Sequence, residues 1–127
     1  MPSPLRPLSI LHVVNSLDVG GLERIVVDLA IAQHVAGQRV AVFSIDQTAG
    51  LRAQLERAGV PVLVGDKRGT LDRTVLRRLR SAVVNAHVDV LHTHNFVPNY
   101  YAALATLAMR ARPALINTCH NMGTRLS

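Results

Sequence analysis

The turn that contains Gly20 and Gly21 has the residue types of an anion-binding or sugar-binding corner. An apolar run over 8–14 precedes the two glycines, and apolar residues recur at helical spacing from Leu22 onward. The missing side chains let a ligand approach the backbone, and the first turn of a helix offers unpaired N–H groups at the positive end of its dipole. Phosphate binds readily at such a corner. A tight turn without a ligand is the alternative interpretation.

The two histidines of the segment His92-Thr93-His94-Asn95 are a second candidate for a ligand-binding or metal-binding site. Residues two apart on a strand share a face, so both imidazoles could point the same way. The sequence shows no close third ligand, and the single cysteine, Cys119, does not complete a metal-binding set. We therefore predict no metal. We expect His92 to pack within a strand, and His94, nearer the strand end, to face a cleft.

A third candidate is His120, which follows the last apolar run of the chain. A neutral imidazole at the end of a strand can exchange a hydrogen bond with a hydroxyl or a phosphate. A loop histidine satisfied by its own neighbours is the other interpretation, and position alone does not separate the two. Cys119 beside it forms no disulfide within the chain, which favours a reducing compartment.

Alternating apolar segments must position these residues. Five strands alternating with four helices predict an α/β domain with a doubly wound parallel sheet, in the order 3-2-1-4-5 and with helices on both faces. Ligands bind such sheets beyond the carboxyl ends of the strands where the winding reverses, here at 15–21 and 94–98 with 120–121 adjacent. We predict strands over 8–14, 40–45, 60–64, 88–93 and 114–119, and helices over 21–36, 51–58, 71–86 and from Pro98 to about 110.

Composition limits the class of protein. The chain has 127 residues, 49% hydrophobic and 17% charged, with a net charge of +6 and no tryptophan, which is typical of one globular domain with an aliphatic core. Its first apolar stretch is interrupted at Asn15 and is too short for a signal peptide or a membrane span. We therefore predict a soluble cytoplasmic protein.

Most of the excess positive charge lies between Asp66 and Arg80, a stretch that contains six basic residues and two acidic ones. The basic stretch either attracts an anionic surface or forms a solvated helix face. No aromatic side chains alternate with these charges, so we predict no nucleic-acid partner. The arginines considered for contact with anionic lipid are Arg73, Arg77, Arg78 and Arg80.

Three segments together resemble family 4 glycosyltransferases, the retaining enzymes of the GT-B fold. The first is the apolar strand followed by Ser-Leu-Asp-Val-Gly-Gly-Leu-Glu-Arg at 16–24. The second is Asp-Val-Leu-His-Thr-His-Asn at 89–95, and the third is Thr-Cys-His-Asn at 118–121. The matches occur in the family's order and extend over most of the chain, from about residue 8 to 121.

The resemblance implies roles for individual residues. Enzymes of this family have two Rossmann-like domains, of which the N-terminal one mostly binds the acceptor. Gly20 and Gly21 would then line the donor diphosphate, and His120, as the catalytic residue, would contact the transferred sugar. The acceptor side would be lined by Ser16, His94 and Asn95. Such enzymes need no metal and no cofactor besides the nucleotide-sugar donor, and retention is usually explained by same-face attack assisted by the leaving phosphate.

The resemblance also implies that 1–127 is a single Rossmann-like domain, the N-terminal half of a glycosyltransferase without its donor-binding domain. We expect the chain alone to be inactive, because most donor contacts would be missing. We also predict a homodimer, since the last strand would be an uncovered edge. Lipid-linked acceptors are common in the family, which favours contact of the arginines with a membrane. The alternative function is a non-catalytic nucleotide or sugar-phosphate binding module.

Overall fold

The computed structural model describes residues 6–18, 21–69 and 71–119. Strands and helices alternate along this part of the chain. Its elements are β1 (Ser9–Val14), α1 (Gly21–Val35), β2 (Arg39–Ser44), α2 (Arg52–Arg57), β3 (Val62–Val64), α3 (Arg73–Asn85), β4 (Val90–His94), α4 (Phe96–Thr106) and β5 (Ala114–Thr118).

The strands form one parallel sheet in the order β3-β2-β1-β4-β5. This confirms the predicted fold class and strand order, including the position of β3 at an edge. The winding reverses between β1 and β4, so their carboxyl ends are neighbours. Their register pairs His12 with His92, and this pairing decides which side chains meet beneath the candidate site.

Local chemistry explains where two helices begin. α3 starts at Arg73 because Asp72 caps it, with the carboxylate accepting a 2.8 Å hydrogen bond from the Thr74 N–H. α4 starts at Phe96, two residues before the predicted start at Pro98, because Asn95 turns the chain with a φ of 76°. Asparagine tolerates this left-handed region better than most residues.

The core has two layers, one on each face of the sheet. α3 and α4 cover one face through Leu79, Val83 and Tyr101, and α1 and α2 cover the other through Val26 and Leu55. A fully buried aliphatic side chain contributes about 1.5–3 kcal/mol. The middle of the sheet is therefore the stable part on which the loops of the site are mounted.

The β5 edge differs from the rest of the sheet, because four of its residues are exposed and the fifth is half-buried. Leu115 is 42% exposed and Ile116 48% exposed. None of the helices in the described ranges has the length and apolarity needed to span a bilayer.

Candidate functional site

The loop after β1 is the first part of the candidate site, and neighbouring loops hold it in place. The Leu17 N–H donates to Thr48 Oγ1 at 2.7 Å, and the Leu17 carbonyl accepts from the Leu51 N–H at 2.8 Å. Leu17 itself is fully buried, while Ser16 beside it is half-buried. The buried leucine thus anchors the loop and leaves Ser16 partly accessible at the carboxyl edge.

Gly50 lies against the backbone of this loop. A Cβ on Gly50 would lie 2.0 Å from the Leu17 carbonyl oxygen and 2.7 Å from Cα of Asp18. Any side chain there would push the loop out of position, so the backbone approach requires glycine. Sequence reasoning missed Gly50, because its role depends on a contact between loops far apart in the chain.

Gly21 opens α1 and is exposed, and a Cβ added there would meet nothing within 4 Å. Packing within the protein therefore does not require glycine, and the position leaves open space in front of the helix. Gly20 and His120, the other two residues implied for the donor side, lie outside the described residues. Their assignments stay predictions.

The turn after β4 is the second part of the site. Its Asn95 N–H donates to the Thr118 carbonyl at 2.9 Å, which ties the turn to the end of β5. Asn95 is half-buried, and His94 is only 2% exposed. The structure thus brings Ser16, Gly21 and Asn95 to one edge of the sheet, with His94 beneath that edge.

Three histidines, His12, His92 and His94, pack together on the α1 face of β1 and β4, and we call them the histidine stack. Their ring centroids lie 4.3 to 5.3 Å apart. His12 Nδ1 and His94 Nε2 are 3.0 Å apart, and His12 Nε2 lies 2.7 Å from Gln33 Oε1. His92 Nε2 lies 2.7 Å from Thr118 Oγ1. His92 is thus packed and hydrogen-bonded in the strand, as expected.

Sequence reasoning overlooked His12. A polar residue within an apolar strand was a signal, but its partners depend on the register between β1 and β4. Burial lowers the pKa of His12 from 6.5 to about 4, against the opposing effect of its hydrogen bond to Gln33, and the nearby His92 lowers it slightly further. His12 is therefore neutral at pH 7.

In the histidine stack, one ring nitrogen from each residue lies within 4.8 Å of the others, which is close enough for the three to share a metal ion. Imidazole ligands suit zinc, copper or nickel. A bound ion lies in the plane of each ring that ligates it, whereas these rings are stacked at 23° to 38° to one another, and His12 and His94 already share a hydrogen bond. The arrangement favours hydrogen bonding, and the absence of a metal stays a prediction.

The four arginines of the basic stretch do not form one patch. Arg73, Arg77 and Arg80 are exposed at spacings of four and three along α3, which places them on one side of the helix. Arg78 instead turns toward the end of β3, where its Nη1 donates to the Gly65 carbonyl at 2.8 Å. A groove of about 570 Å³ lies beside this helix, lined by Leu63, Val64, Arg77, Arg78 and Ala82 among others.

A family model, Glycosyltransferase Family 4, matches residues 19–127. The chain is similar to the crystal structure of a glycosyltransferase from Rickettsia africae ESF-5, with a TM-score of 0.66 and 16% sequence identity. The similarity covers 87% of this chain and 29% of that chain, so the chain spans less than a third of its neighbour. No curated protein matches the chain.

Proposed function

Because the chain belongs to glycosyltransferase family 4, we propose that it is the acceptor-side domain of a retaining GT-B enzyme. The enzyme transfers a sugar from a nucleotide-sugar donor to a glycan or lipid-linked acceptor, and it uses neither a metal nor a further cofactor. The observation that carries the proposal is that Ser16 and Asn95 follow neighbouring strands at the carboxyl edge of the sheet, and that α1 begins at Gly21. Parallel α/β sheets bind ligands at this reversal of winding.

Each side of this edge has a role in the proposal. Gly20 and Gly21 leave room for the donor diphosphate at the start of α1, where the backbone N–H groups favour an anion. Ser16, His94 and Asn95 line the acceptor side, and His120 contacts the transferred sugar as the catalytic residue. The chain alone does not turn over donor, because charge on the leaving diphosphate needs more stabilisation than this edge supplies.

The test is a titration of the nitrogen-15-labelled chain with UDP-glucose, GDP-mannose and methyl glycosides, followed by NMR. We expect shifts at Ser16, Gly21 and Asn95 and no sugar transfer. Gly21→Val should abolish the donor-induced shifts by filling the open space, while Ala53→Val on the exposed side of α2 should retain them. Ligand shifts confined to β3 and α2 would contradict the site, and transfer by the purified chain would contradict its inactivity.

The same titration separates the enzyme from its alternative, a non-catalytic nucleotide or sugar-phosphate binding module. An acceptor-side domain responds to the methyl glycosides, whereas a module responds to nucleotide or sugar phosphate alone. The adjoining coding sequence gives an independent answer. A second Rossmann-like half with a pair of glutamates supports the enzyme, and a stop codon after Ser127 supports the module.

We propose that the protein works in the cytoplasm at the inner face of the membrane, with the basic side of α3 against anionic lipid. Three exposed arginines on one side of a helix attract such a surface. Replacing Arg73, Arg77 and Arg80 by glutamine should abolish flotation with phosphatidylglycerol vesicles. Arg78→Gln should have a smaller effect, because it removes one charge rather than three and because the Arg78 side chain is turned toward the Gly65 carbonyl. Equal flotation of the triple variant and the wild type would contradict the proposal.

The β5 edge supports the proposal of a homodimer. Unpaired edge strands that expose apolar side chains tend to pair with another chain. Leu107 is 67% exposed, Leu115 42% and Ile116 48%. Light scattering should report a dimer that Ile116→Lys converts to a monomer, while Val35→Lys on α1, also exposed, leaves it dimeric. A wild-type monomer at high concentration would contradict the proposal.

A further inference from the structure

Among the 14 lysine and arginine residues of the chain, Lys67 is the only lysine. It belongs to the loop that follows β3, at the carboxyl edge of the sheet, and it is half-buried. An ammonium group is a compact, strongly hydrated charge, and burying part of it costs free energy unless another group replaces the lost water. The groups around this ammonium therefore decide what Lys67 can do.

Backbone contacts hold the loop after β3 in one position. The Gly65 N–H donates to the Ser44 carbonyl at 2.7 Å, which extends the contact with β2 past the end of β3. The Lys67 N–H then donates to the Ile45 carbonyl at 3.0 Å. A Cβ on Gly65 would lie 3.0 Å from that same carbonyl oxygen, so the two loops are closely packed. The backbone of Lys67 is thus fixed beside the end of β2.

The carboxylates nearest to Lys67 in the sequence have other partners. Asp66, which has a φ of 57°, accepts from Gln47 Nε2 at 2.9 Å and lies 3.5 Å from Arg68 Nη2. Asp72 caps α3 and accepts from the Arg68 N–H at 2.8 Å. In the described part of the chain, none of the ion pairs includes Lys67.

The ammonium group of Lys67 lies 5.9 Å from the centroid of the Tyr101 ring. This ring belongs to α4, and its hydroxyl accepts from the Asp72 N–H at 3.1 Å. A ring face attracts a cation without taking up its N–H donors in strong hydrogen bonds. Because α4 packs against β1 and β4, the side chain extends from the loop after β3 toward the two strands where the winding reverses.

Lys67 and the start of α1 lie on opposite sides of the sheet edge. α1 covers the face whose core contains Val26 and Leu55, whereas Tyr101 belongs to the core of the other face. An anion bound at Lys67 is therefore a different group from a phosphate bound at the start of α1. Since the proposed donor places its diphosphate at α1, the second anion belongs to the acceptor.

We propose that Lys67 is a specificity-determining residue that binds a phosphoryl group of the acceptor, an inference that rests on the function proposed above. A phosphoryl group has up to two negative charges and several accepting oxygens, and lysine binds it as a point charge. The acceptor is then a phosphorylated sugar or the headgroup of a phospholipid, which share this chemistry. A neutral sugar occupies the edge at Ser16 and Asn95 without the contact to Lys67.

The alternative is that the alkyl stem of Lys67 packs on Tyr101 and that water alone surrounds its ammonium group. Because the chain has one lysine, carbon-13-labelled lysine gives a single Cε signal in NMR spectra. Glucose 6-phosphate should shift this signal together with the amides of Ser16 and Asn95, and methyl glucoside should shift the two amides alone. A Cε signal that no phosphate probe shifts would overturn the proposal, and this measurement needs no variant.

Variants at two adjacent positions sharpen the test. Lys67→Gln should weaken glucose 6-phosphate binding about tenfold and leave methyl glucoside binding unchanged, which also shows that the variant is folded. Lys67→Arg keeps the charge and should retain most of the affinity. Arg68→Gln removes the same charge one residue away and should weaken binding by less than about threefold, because Arg68 is exposed and paired with Asp66. Equal losses in Lys67→Gln and Arg68→Gln would overturn the proposal.

Further probes identify what carries the phosphoryl group. Inorganic phosphate should bind more weakly than glucose 6-phosphate, because it lacks the sugar hydroxyls. Equal affinity would indicate an adventitious ion only and would overturn the proposal, as would equal affinity for methyl glucuronide, which carries a carboxylate instead. Dihexanoylphosphatidylglycerol below its micelle concentration separates the two sources. If it shifts the Cε signal at lower concentration than glucose 6-phosphate does, the source is a lipid headgroup, and otherwise it is a sugar phosphate.

The two proposals fail in different ways. Where methyl glucoside shifts Ser16 and Asn95 but no phosphate probe shifts Lys67, the proposed function stands and the phosphoryl contact is wrong. Where glucose 6-phosphate shifts Lys67 but methyl glucoside shifts neither amide, Lys67 does bind a phosphoryl group. The chain then behaves as a sugar-phosphate binding module, and it is the acceptor-side function that is wrong.

Discussion

β1 and β5 belong to one sheet but differ in how much of each the fold covers. All six residues of β1 are buried, whereas four of the five residues of β5 are exposed. Both strands are rich in apolar residues, SILHVV and ALINT, so composition does not explain the difference. Position does, because β1 has strands on both sides and helices on both faces. Apolar surface on β5 remains available for binding, while that on β1 stabilises the fold.

The largest expected effect comes from one pair of leucines across these regions. Leu91 in β4 and Leu115 in β5 are register partners, but Leu91 is fully buried and Leu115 is 42% exposed. Leu91→Ala should lower the free energy of unfolding by about 2–5 kcal/mol, since it leaves a cavity. Leu115→Ala should lower it by less than about 1 kcal/mol.

Urea unfolding of both variants, in dilute solution where the chain is monomeric, measures this difference. Similar losses of unfolding free energy in the two variants would mean that Leu115 is as well covered in solution as Leu91. If the loss of unfolding free energy in Leu115→Ala grew with protein concentration, a second copy of the chain would be what covers Leu115.

The second prediction concerns pH and the buried centre of the sheet. His12 has a pKa near 6.5 when unfolded and about 4 when folded. Between these values the unfolded chain binds more protons, so stability falls as the pH falls from 6.5 to 4, by up to about 3 kcal/mol. Urea unfolding at several pH values in this range should show the loss.

The control is His12→Gln, which removes the titrating group and should flatten the pH dependence in that window. Asp72 and Asp89 do not produce the same effect. Hydrogen bonds from the Arg68 backbone and from the Arg6 side chain, respectively, lower the pKa of each carboxyl below 3.8. Their stabilisation is therefore lost below this window. An unchanged slope in the variant would contradict the assignment to His12.

The sequence was sufficient for the sheet order but not for contacts between distant segments. Apolar runs such as 8–14 and 40–45 predicted strands because their period and flanking turns are local properties. The hydrogen bond between His12 and His94 depends on the register between two strands that are far apart in the chain. The sequence predicted that His94 faces a cleft, but it did not predict that this side chain is only 2% exposed. The roles implied for Gly20 and His120 fall outside the described residues and stay predictions.

The smallest expected effect compares two glycines near the candidate site. Gly50→Ala should lower the free energy of unfolding by about 1–3 kcal/mol, because its Cβ would meet the Leu17 carbonyl oxygen at 2.0 Å and shift the loop after β1. Gly21→Ala should leave stability unchanged or raise it by up to about 1 kcal/mol, since the position is open and alanine favours a helix.

The two variants should also differ in which ligands they affect. The difference distinguishes a residue that holds the site in place from a residue that contacts the ligand. Gly50→Ala displaces Ser16 together with Leu17, so the NMR shifts that methyl glycosides induce at Ser16 should weaken even at temperatures where the variant is folded. Gly21→Ala adds one methyl group in front of α1 and should affect only the donor probes. Loss of the methyl glycoside response in Gly21→Ala would mean that both ligands share the start of α1, and the division of the edge into donor and acceptor sides would then be wrong.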